Sequence, residues 1–274
     1  MHIQENDTPS VSVIMGVLYK RESLSLLRRS VESVLKQSFM DFELLICDEG
    51  SSQQAMNLLE KYTEQDPRVR LIRPGNKIDL ASKLNACLKE ARGKYIARMD
   101  DDDYSYTLRF QKQLSALKRN EQIAFVGCNV NLWCEGKIVG SRAFPAFPQV
   151  KDFYMTQPFI HPSLVFLREA LEAVGGYSEH RWQVLCEDYD LLLRLYAKGH
   201  YGMNLEEPLL DYTISTDGKG SRRMRHRWNE AVTRYTRFKE LGVLPKALPY
   251  VIKPLLVGLI PRELLSNIKK HYYE

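Results

Sequence analysis

The chain has 274 residues, of which 44% are hydrophobic and 27% charged, and this balance excludes an intrinsically disordered or collagen-like protein. The net charge is +5, but residues 222–274 hold 12 basic and 4 acidic residues, so the preceding chain is mildly acidic. Five scattered cysteines without a Cys-x-x-Cys pair argue against a disulfide framework and against a zinc ribbon.

The first half of the chain alternates strand and helix patterns. Short apolar runs typical of buried strands occupy residues 11–17, 42–47, 69–72, 95–99 and 123–130. Apolar residues with helical spacing lie between these runs, at residues 24–35, about 53–64, 80–91 and 108–119. This alternation predicts an α/β fold in which a Rossmann-like, mostly parallel sheet is flanked by helices.

The periodicity is weaker after residue 135. We expect a strand at residues 163–167, a helix at 186–198, a strand near 208–214 and a basic helix at 224–241. A polar, glycine-containing segment at 217–221 predicts a flexible loop before the last of these. The basic helix therefore begins a C-terminal extension of the α/β domain.

Residues 100–103 are four aspartates that directly follow the predicted strand at 95–99. Ligands of such sheets bind beyond the carboxyl ends of the strands, so the loops after residues 17, 47 and 99 are expected to converge on one crevice. The alternative, a solvated acidic turn, is disfavoured because the run follows a buried strand. Adjacent carboxylates repel each other unless a cation lies among them. The run therefore indicates a site for Mg²⁺ or Mn²⁺, which bind carboxylate and phosphate oxygens.

Four segments together resemble the family 2 glycosyltransferases, in the order and spacing of that family. They are PSVSVIMGV at 9–17, ELLICDEGSS at 43–52, ARGKYIARMDDDDYS at 91–105 and CEDYDLLLRL at 186–195. The resemblance implies a GT-A catalytic domain over residues 1–221, with a nucleotide-binding half at about 9–135 and an acceptor half at about 136–221. Residues 222–274 would then form the basic helical extension.

The Asp-x-Asp element of the family corresponds to Asp100 and Asp102. The resemblance implies that Asp102 binds a Mn²⁺ or Mg²⁺ ion that bridges the nucleotide diphosphate, and that Asp100 lies near the ribose and this metal. Asp101 would lie beside the nucleotide. A divalent ion there would stabilise the departing nucleoside diphosphate.

The resemblance also implies where the nucleotide base binds. Asp48 would accept the imino N–H of uracil, which favours a UDP-sugar donor, although an ordinary turn acid is the alternative. Val17 and Tyr19 lie where the first loop of the family packs on the base. Lys83 and Asn85 lie on a helix that often faces the nucleotide.

On the acceptor side, Asp188 matches the family's general base, which deprotonates an acceptor hydroxyl as that oxygen attacks the anomeric carbon and inverts it. Glu187 is its acidic neighbour; the alternative is that both only complement a helix N-terminus. His161 matches a position near the acceptor, and a structural histidine is the alternative. Arg194 either orients the acidic pair or is an ordinary surface cation.

The family often has a histidine after the last strand, in a Tyr-Arg-x-His pattern, that contacts the metal or the diphosphate. Here residues 212–215 read Tyr-Thr-Ile-Ser, so that histidine is absent. Either water completes the metal shell, or Lys219 and Arg222 reach the phosphates from the predicted loop.

The C-terminal segment 243–274 mixes apolar, aromatic and basic residues and is interrupted by prolines. Such a segment suits an anionic membrane surface, and packing on the body or on a second subunit is the alternative. Nucleic acid ranks lower because no binding motif is present. The polar N-terminus lacks a signal core and no run of 18 apolar residues occurs, so we expect a cytoplasmic protein, peripheral on the membrane.

The expected function is transfer of a sugar to a glycan or lipid-linked acceptor in surface polysaccharide synthesis. A sugar nucleotidyltransferase is a second possibility, but it would normally have a glycine-rich, basic phosphate loop after the first strand. A non-catalytic interaction protein on the same fold is a third. The sequence keeps Asp100, Asp102 and Asp188, which argues against that third possibility.

Overall fold

The computed structural model describes residues 8–75, 79–214 and 224–260. The strands are β1 (Val11–Val17), β2 (Phe42–Asp48), β3 (Val69–Ile72), β4 (Tyr95–Arg98), β5 (Tyr104–Ser105), β6 (Ile123–Cys134), β7 (Lys137–Arg142), β8 (Val165–Leu167) and β9 (Tyr201–Thr213). The α-helices are α1 (Ser25–Leu35), α2 (Gln53–Gln65), α3 (Leu80–Glu90), α4 (Arg109–Arg119), α5 (Arg168–Ala173), α6 (Glu187–Ala197), α7 (Met224–Glu240) and α8 (Leu244–Leu259). The alternation predicted for the first half is confirmed to within about one residue at most ends.

The described strands form one sheet in the order β3-β2-β1-β4-β8-β6-β9-β5, and β7 pairs with β6. β1 is parallel to β2 and β4, β2 is parallel to β3, and β6 is parallel to β9. The short β8 is antiparallel to both β4 and β6, and it joins the two parallel parts. The expected α/β fold is confirmed, and each antiparallel pair includes one of the late strands β7, β8 and β9.

Apolar side chains cover both faces of the sheet. Alternate residues of β1 point to opposite sides, so Val13 and Met15 pack in one core cluster and Ile14 in the other. The first cluster includes Leu27 of α1, and the second includes Leu84 of α3. Burial on both faces explains why the central strands are continuous apolar runs, and it leaves the sheet edge for polar groups.

The helices α7 and α8 share a core with the α/β body. Phe238, Ala247 and Val251 lie in the same buried cluster as Leu191 and Leu195 of α6. The boundary predicted at residues 221 and 222 and the loop at 217–221 lie outside the described residues, so both stay predictions. What is described of the extension is packed on the body.

The second half contains more strand than the sequence predicted. β9 begins at residue 201 rather than near 208, because a register shift opposite Cys128 and Asn129 accommodates Pro208 in the β6 pairing. β6 continues through residue 134 and turns at Glu135, with φ +49°, and Gly136, with φ +90°, into β7. Both differences depend on pairing between distant segments, which local patterns do not reveal.

Two other expectations concern thiols and membranes. None of the five cysteines forms a disulfide, as their positions predicted, and all five are buried. In the part of the chain that the structure describes, no helix combines the length and the apolar character needed to cross a bilayer.

Candidate active site

The carboxyl ends of β2, β1 and β4 are adjacent at one edge of the sheet. The last residues of the first two strands, Val17 and Asp48, lie beside each other. The loops that follow are tied together, because the backbone N–H of Ser52 donates to the carbonyl oxygen of Tyr19 at 2.9 Å. Arg21 of the first loop also pairs with Asp102 in the loop after β4. The three loops are therefore joined as expected, and the region that they border is called the crevice below.

The carboxylate of Asp48 organises the loop after β2. Its Oδ2 accepts the backbone N–H groups of Gly50 at 2.8 Å and Ser51 at 3.2 Å, and its Oδ1 accepts the hydroxyl of Ser51. Gly50 has φ +108°, a conformation that favours glycine. Asp48 thus lies at the crevice, with much of its hydrogen-bonding capacity used by its own turn.

The loop after β1 places Tyr19 differently from the expectation. Its side chain is 2% exposed, and its hydroxyl donates to the carbonyl oxygen of Ser23 at 2.9 Å. The loop lies at the carboxyl end of β1 as expected, but the ring of Tyr19 is held in the core, and its role beside a base stays a prediction. Val17 is also completely buried, and Leu18, 40% exposed, is the side chain that this loop presents to solvent.

Lys83 and Asn85 lie on α3 but point in different directions, because residues two apart are about 200° apart around a helix. The ammonium of Lys83 lies 3.2 Å from the carbonyl oxygen of Val17 and 3.2 Å from a carboxylate oxygen of Glu49. The amide of Asn85 both donates to and accepts from the backbone of Tyr177. Lys83 therefore lies under the first two loops, whereas the amide of Asn85 is engaged by the loop at residue 177 instead of facing a nucleotide.

Two of the four aspartates in the acidic turn (residues 100–103) pair with arginines. Asp100 pairs with the guanidinium of Arg98, and Asp102 lies 2.8 Å from the guanidinium of Arg21. The Asp100 side chain is 29% exposed and that of Asp102 is 22% exposed. Both carboxylates are therefore accessible from the crevice.

Asp103 ties the acidic turn to β9. It is completely buried, and its Oδ1 accepts the backbone N–H of Thr213 at 2.7 Å. The hydroxyl of Thr213 donates to the carbonyl oxygen of Asp102. The other oxygen of Asp103, Oδ2, has no hydrogen-bond partner among the described residues. An unsatisfied buried carboxylate oxygen marks the turn as a place where positive charge would be stabilising.

The acidic turn has carboxyls with raised pKa values. Burial, followed by the charges of Asp102 and Asp100, raises the pKa of Asp101 to about 7. Burial and the charge of Asp100 also raise the pKa of Asp102. Burial and the charges of Asp100 and Asp102 raise the pKa of Asp103. The turn holds more negative charge than its arginine partners neutralise, which favours a bound cation.

The oxygen donors of the turn fit Mg²⁺ or Mn²⁺ better than a softer metal. Within residues 8–75, 79–214 and 224–260, no group of three or more His, Cys, Asp or Glu side chains is arranged to hold a metal ion. Mg²⁺ commonly takes only one or two carboxylates and completes its shell with water and phosphate oxygens. Asp100 and Asp102 therefore fit an ion that is shared with a diphosphate.

Arg98 lies beneath the crevice and is 1% exposed. Burial raises the pKa of both Glu187 and Tyr177, and the positive charge of Arg98 acts in the opposite direction on both groups. The pKa of Arg98 itself is raised, because the charge of Asp100 and other acidic neighbours outweighs burial. This buried cation thus lies between the acidic turn and the start of α6.

The first turn of α6 presents Glu187 and Asp188. It follows Leu185, whose φ of +64° is a strained, left-handed conformation for a leucine. Asp188 is partly exposed, and its Oδ2 accepts the side-chain amide of Gln157 at 3.2 Å. Glu187 is 8% exposed, and burial and the charge of Asp188 raise its pKa to about 7. An accessible carboxylate therefore lies beside a buried carboxyl that binds a proton readily.

The charges of both acidic groups act on Tyr212 of β9. Burial raises the pKa of its phenol, and the charges of Asp100, Asp103, Asp188 and Asp102 raise it further. The same side chain is thus within electrostatic reach of the acidic turn and of the start of α6, which indicates that these two groups lie near each other.

The two residues expected on the acceptor side have structural partners. The Nε2 of His161 lies 2.8 Å from the hydroxyl oxygen of Tyr177, and burial and the charge of Arg98 lower the pKa of His161 well below its ordinary value. Arg194 donates to Asp190 at 2.7 Å and to two backbone carbonyls of the preceding loop. Arg194 therefore does not orient the acidic pair at the start of α6.

Four residues of the crevice are missing from the sequence prediction: Arg21, Arg98, Gln157 and Tyr212. A sequence signal existed for Arg98, because a charged residue inside a buried strand must have a charged or polar partner. Gln157 lies in an irregular segment, and no pattern marks it. The acceptor half is therefore where sequence reasoning is least complete.

An open cleft of about 730 Å³ adjoins the acidic turn at Asp102. Its walls include Arg21 and Arg29 on the side of α1, and Trp133 and Thr213 at the ends of β6 and β9. Arg29 packs on the ring of Trp133, with 4.6 Å between the guanidinium carbon and the ring centroid. The cleft gives a bound molecule room beside the metal-binding carboxylates proposed here.

Comparisons with known sequences agree with this geometry. The model of the family described as Glycosyl transferase family 2 matches residues 12–175. EpsE of Bacillus subtilis (strain 168) is 30% identical over 266 residues, 97% of this chain and 95% of EpsE. The O-antigen biosynthesis glycosyltransferase WbnJ of Escherichia coli is 32% identical over 211 residues, 74% of this chain and 79% of WbnJ.

Solved structures with similar folds include two complexes with nucleotide sugars. S. aureus TarS in complex with UDP-GlcNAc has a TM-score of 0.68 at 16% identity, over 89% of this chain and 73% of that one. The mannosyltransferase PcManGT from Pyrobaculum calidifontis, in complex with GDP-Man and Mn²⁺, has a TM-score of 0.60 at 16% identity, over 97% and 81%. With the family match over more than half of its length, this chain belongs to glycosyl transferase family 2 and has the GT-A fold of that family.

Proposed function

We propose that this glycosyltransferase moves a sugar from a nucleotide sugar to an acceptor hydroxyl with inversion at the anomeric carbon. The observation that supports the proposal is that the charges of Asp188 and of the acidic turn act on one side chain, that of Tyr212. A base and a diphosphate site must lie on the same side of the molecule for direct displacement, and this shared neighbour supports such a placement.

In this proposal Asp188 takes the proton of the acceptor hydroxyl while that oxygen forms a bond to the anomeric carbon. The bond from this carbon to the diphosphate oxygen breaks on the opposite face, and its electron pair leaves with the nucleoside diphosphate. Asp100 and Asp102 would hold a Mn²⁺ or Mg²⁺ ion, which when bound neutralises the diphosphate charge. Because the pKa of Glu187 is about 7, this neighbour is partly neutral near pH 7, which limits repulsion beside the base.

A UDP-sugar is the donor that we propose. Asp48 lies at the end of β2 beside Val17, where the resemblance puts the uracil-binding carboxylate. The TarS complex contains UDP-GlcNAc, whereas the PcManGT complex contains GDP-Man, so the fold accepts both nucleotides. The exposed Leu18 replaces Tyr19 in this proposal as the side chain beside the base.

The acceptor that we propose is a glycan or a lipid-linked glycan of a surface polysaccharide. The names of two relatives support this, the O-antigen biosynthesis glycosyltransferase WbnJ of Escherichia coli and the amylovoran biosynthesis glycosyltransferase AmsE of Erwinia amylovora. The cleft beside Asp102 and Trp133 offers an aromatic surface with polar neighbours, which suits a sugar ring.

We also propose that α8 lies on an anionic membrane surface. Its inner side is buried through Ala247 and Val251. Its outer side carries an apolar stripe with helical spacing, formed by Leu248, Ile252, Leu256 and Leu259, which are 46%, 45%, 58% and 73% exposed. An amphipathic helix of this kind suits the boundary between lipid headgroups and acyl chains.

The charges around this stripe favour an anionic partner. Arg225, Lys239 and Lys246 are exposed on the two C-terminal helices, whereas the exposed Glu240 is neutralised by Arg237. Trp228, 52% exposed, and Tyr235, 47% exposed, lie on α7 and suit an interface. A membrane therefore fits this surface better than a second copy with the same positive charge.

Flotation of the full chain with vesicles tests the membrane surface. We expect binding to phosphatidylglycerol-containing vesicles, weaker binding to phosphatidylcholine alone, and loss of binding in the double variant Ile252→Glu, Leu256→Glu. The variant Ile138→Glu, at a residue that is 55% exposed on β7, is the matched control. Equal binding by the double variant, or a dimer in sedimentation that it disrupts, would refute the membrane assignment.

A screen of nucleotide sugars for release of nucleoside diphosphate tests the transfer reaction. With Mn²⁺ and an oligosaccharide or lipid-linked acceptor pool, we expect UDP release from one or a few UDP-sugars and inverted product stereochemistry by NMR. Release of nucleoside diphosphate only from GDP-sugars would reject the assignment of Asp48 as the carboxylate that binds uracil. Nucleotide binding without transfer to any acceptor would favour the non-catalytic alternative. Release of pyrophosphate in a separate assay that supplies UTP and a sugar 1-phosphate would favour a nucleotidyltransferase.

A further inference from the structure

We propose that α7 and α8 position the base Asp188 by holding residues 153–157 against α6, an inference that rests on the function proposed above. The direct link is Gln157, whose Nε2 donates to Oδ2 of Asp188 at 3.2 Å. The same Nε2 donates to the carbonyl oxygen of Phe159 at 3.2 Å, which sets the direction of the amide. The orientation of the carboxylate therefore depends on where the backbone at residue 157 lies.

Arg234 of α7 holds the start of this segment. The residue is 3% exposed, and its guanidinium donates to the carbonyl oxygen of Tyr154 at 2.6 Å and to that of Phe153 at 3.4 Å. It also lies over the ring of Tyr189, 4.8 Å from the centroid, and the hydroxyl of Tyr189 donates to the carbonyl oxygen of Phe153 at 2.6 Å. One buried cation thus contacts both the segment and the residue that follows the base.

The second C-terminal helix adds contacts to the same segment. The ammonium of Lys253 donates to the carbonyl oxygen of Met155. The ring of Tyr154 lies 5.3 Å from that of Tyr250 on α8. It also lies 5.4 Å, edge-on, from the ring of Phe238 on α7. Residues 154–157 belong to no helix or strand, so these contacts replace the backbone pairing that would otherwise fix them.

A separate ion pair fixes α6 to α7. Arg237 donates to Asp190 at 2.7 Å, and Asp190 is completely buried two residues after the base. Arg194 donates to the other oxygen of Asp190 at 2.7 Å. The helix that carries Asp188 and the segment that carries Gln157 are therefore both fixed to α7.

This arrangement has a defined consequence for catalysis. An N–H donor on a carboxylate fixes its direction and favours its charged form, which is the form that accepts a proton. A displacement of about 1 Å in a catalytic group can reduce a rate by as much as about 100-fold. Loss of the Gln157 contact should therefore lower turnover, with little effect on donor binding.

Steady-state kinetics of the full chain test the inference. We expect Gln157→Leu and Arg234→Met to lower kcat roughly tenfold and to leave the donor KM within about twofold. Arg234→Lys should recover part of the loss. The matched control is Arg227→Met, which removes a cation on the same helix that, like Arg234, pairs with Glu230.

The outcomes separate this inference from the proposed function. If Asp188→Asn keeps wild-type turnover, the base assignment itself is wrong. If Asp188→Asn is inactive and both Gln157→Leu and Arg234→Met behave like Arg227→Met, the positioning role alone is wrong. Should Arg234→Met fail to fold by circular dichroism, Gln157→Leu decides the matter, because it leaves the contacts of Arg234 intact.

Discussion

The guanidinium of Arg98 lies beneath the acidic turn and pairs there with the carboxylate of Asp100. It is almost completely buried, so the pair compensates a charge that would otherwise be isolated in the core. The backbone of Arg98 is also used, because its carbonyl oxygen accepts Nη2 of the buried Arg109 at 2.8 Å. The crevice therefore depends on a cation that never reaches solvent.

Replacing this cation should destabilise the fold. We expect Arg98→Met to lower the free energy of unfolding by roughly 2–4 kcal/mol, because Asp100 loses its partner and repulsion in the turn increases. Arg98→Lys should lose less. Chemical denaturation measures both variants, and a change of less than about 0.5 kcal/mol for Arg98→Met would contradict the pairing argument.

The variant Asp102→Asn tests the proposed metal carboxylate. The exchange preserves shape and removes one charge, so UDP affinity in the presence of Mn²⁺ should fall at least about tenfold. Affinity in EDTA should change little, and this measurement is the internal control. Isothermal titration calorimetry gives both values, and equal losses with and without Mn²⁺ would mean that Asp102 acts on the nucleotide directly.

The variant Asp188→Asn tests the proposed base. Removing a general base typically lowers turnover by about 10²–10⁴-fold. Binding of UDP with Mn²⁺ should stay near that of the wild type, since Asp188 does not contact the acidic turn. Glu172→Gln, at an exposed residue that pairs with Arg168, serves as the charge-matched control. Retained transfer by Asp188→Asn would reject the assignment.

Glu187 should make stability depend on pH. Its pKa is raised from 4.5 to about 7, so the folded protein binds this proton more tightly than the unfolded chain does. The resulting stabilisation is complete below about pH 4.5 and is lost as the pH rises through 7. Glu187→Gln removes this titration, so relative to the wild type the variant should gain roughly 1–3 kcal/mol between pH 5 and pH 8. Denaturation at both pH values measures it, and a constant difference between the two proteins would refute the argument.

The close approach of Gly93 to β1 predicts a steric effect. A Cβ at this position would lie 2.6 Å from the backbone nitrogen of Ser12 and 2.7 Å from the carbonyl carbon of Val11. We expect Gly93→Ala to cost about 2–4 kcal/mol of unfolding free energy, because strand backbone cannot move away cheaply. Gly136→Ala is the contrast, with open space but φ +90°, and should cost about 1–2 kcal/mol. Equal losses of unfolding free energy in the two variants would mean that the backbone of β1 moves away from the added Cβ easily.

The sequence predicted the parts of this molecule that local patterns determine. Alternating apolar runs located the central strands and their helices, and the acidic turn was visible because it follows a buried strand. The extent of β9 and the presence of β5 and β7 depend on pairing with distant strands, which a local pattern does not contain.

The candidate site shows the same limit at single residues. Asp48, Asp100 and Asp102 lie near each other, because loops at the ends of neighbouring parallel strands must converge. The directions of Tyr19 and Asn85 depend on how one loop and one helix pack, and local spacing does not give them. Gln157 was missed because its segment is ordered by α7 and α8 rather than by its own sequence.

The acidic turn also connects two distant parts of the sheet. It leaves β4 in the middle and enters β5 at the far edge, and three other strands lie between these two in the sheet order. Five residues make this connection, and they bend at Asp101 and Asp102. The connection is held at its end, because Thr213 of β9 contacts both the carbonyl oxygen of Asp102 and the carboxylate of Asp103. Deletion of one residue would shift these contacts out of register with β9, so the turn should tolerate side-chain exchange far better than deletion.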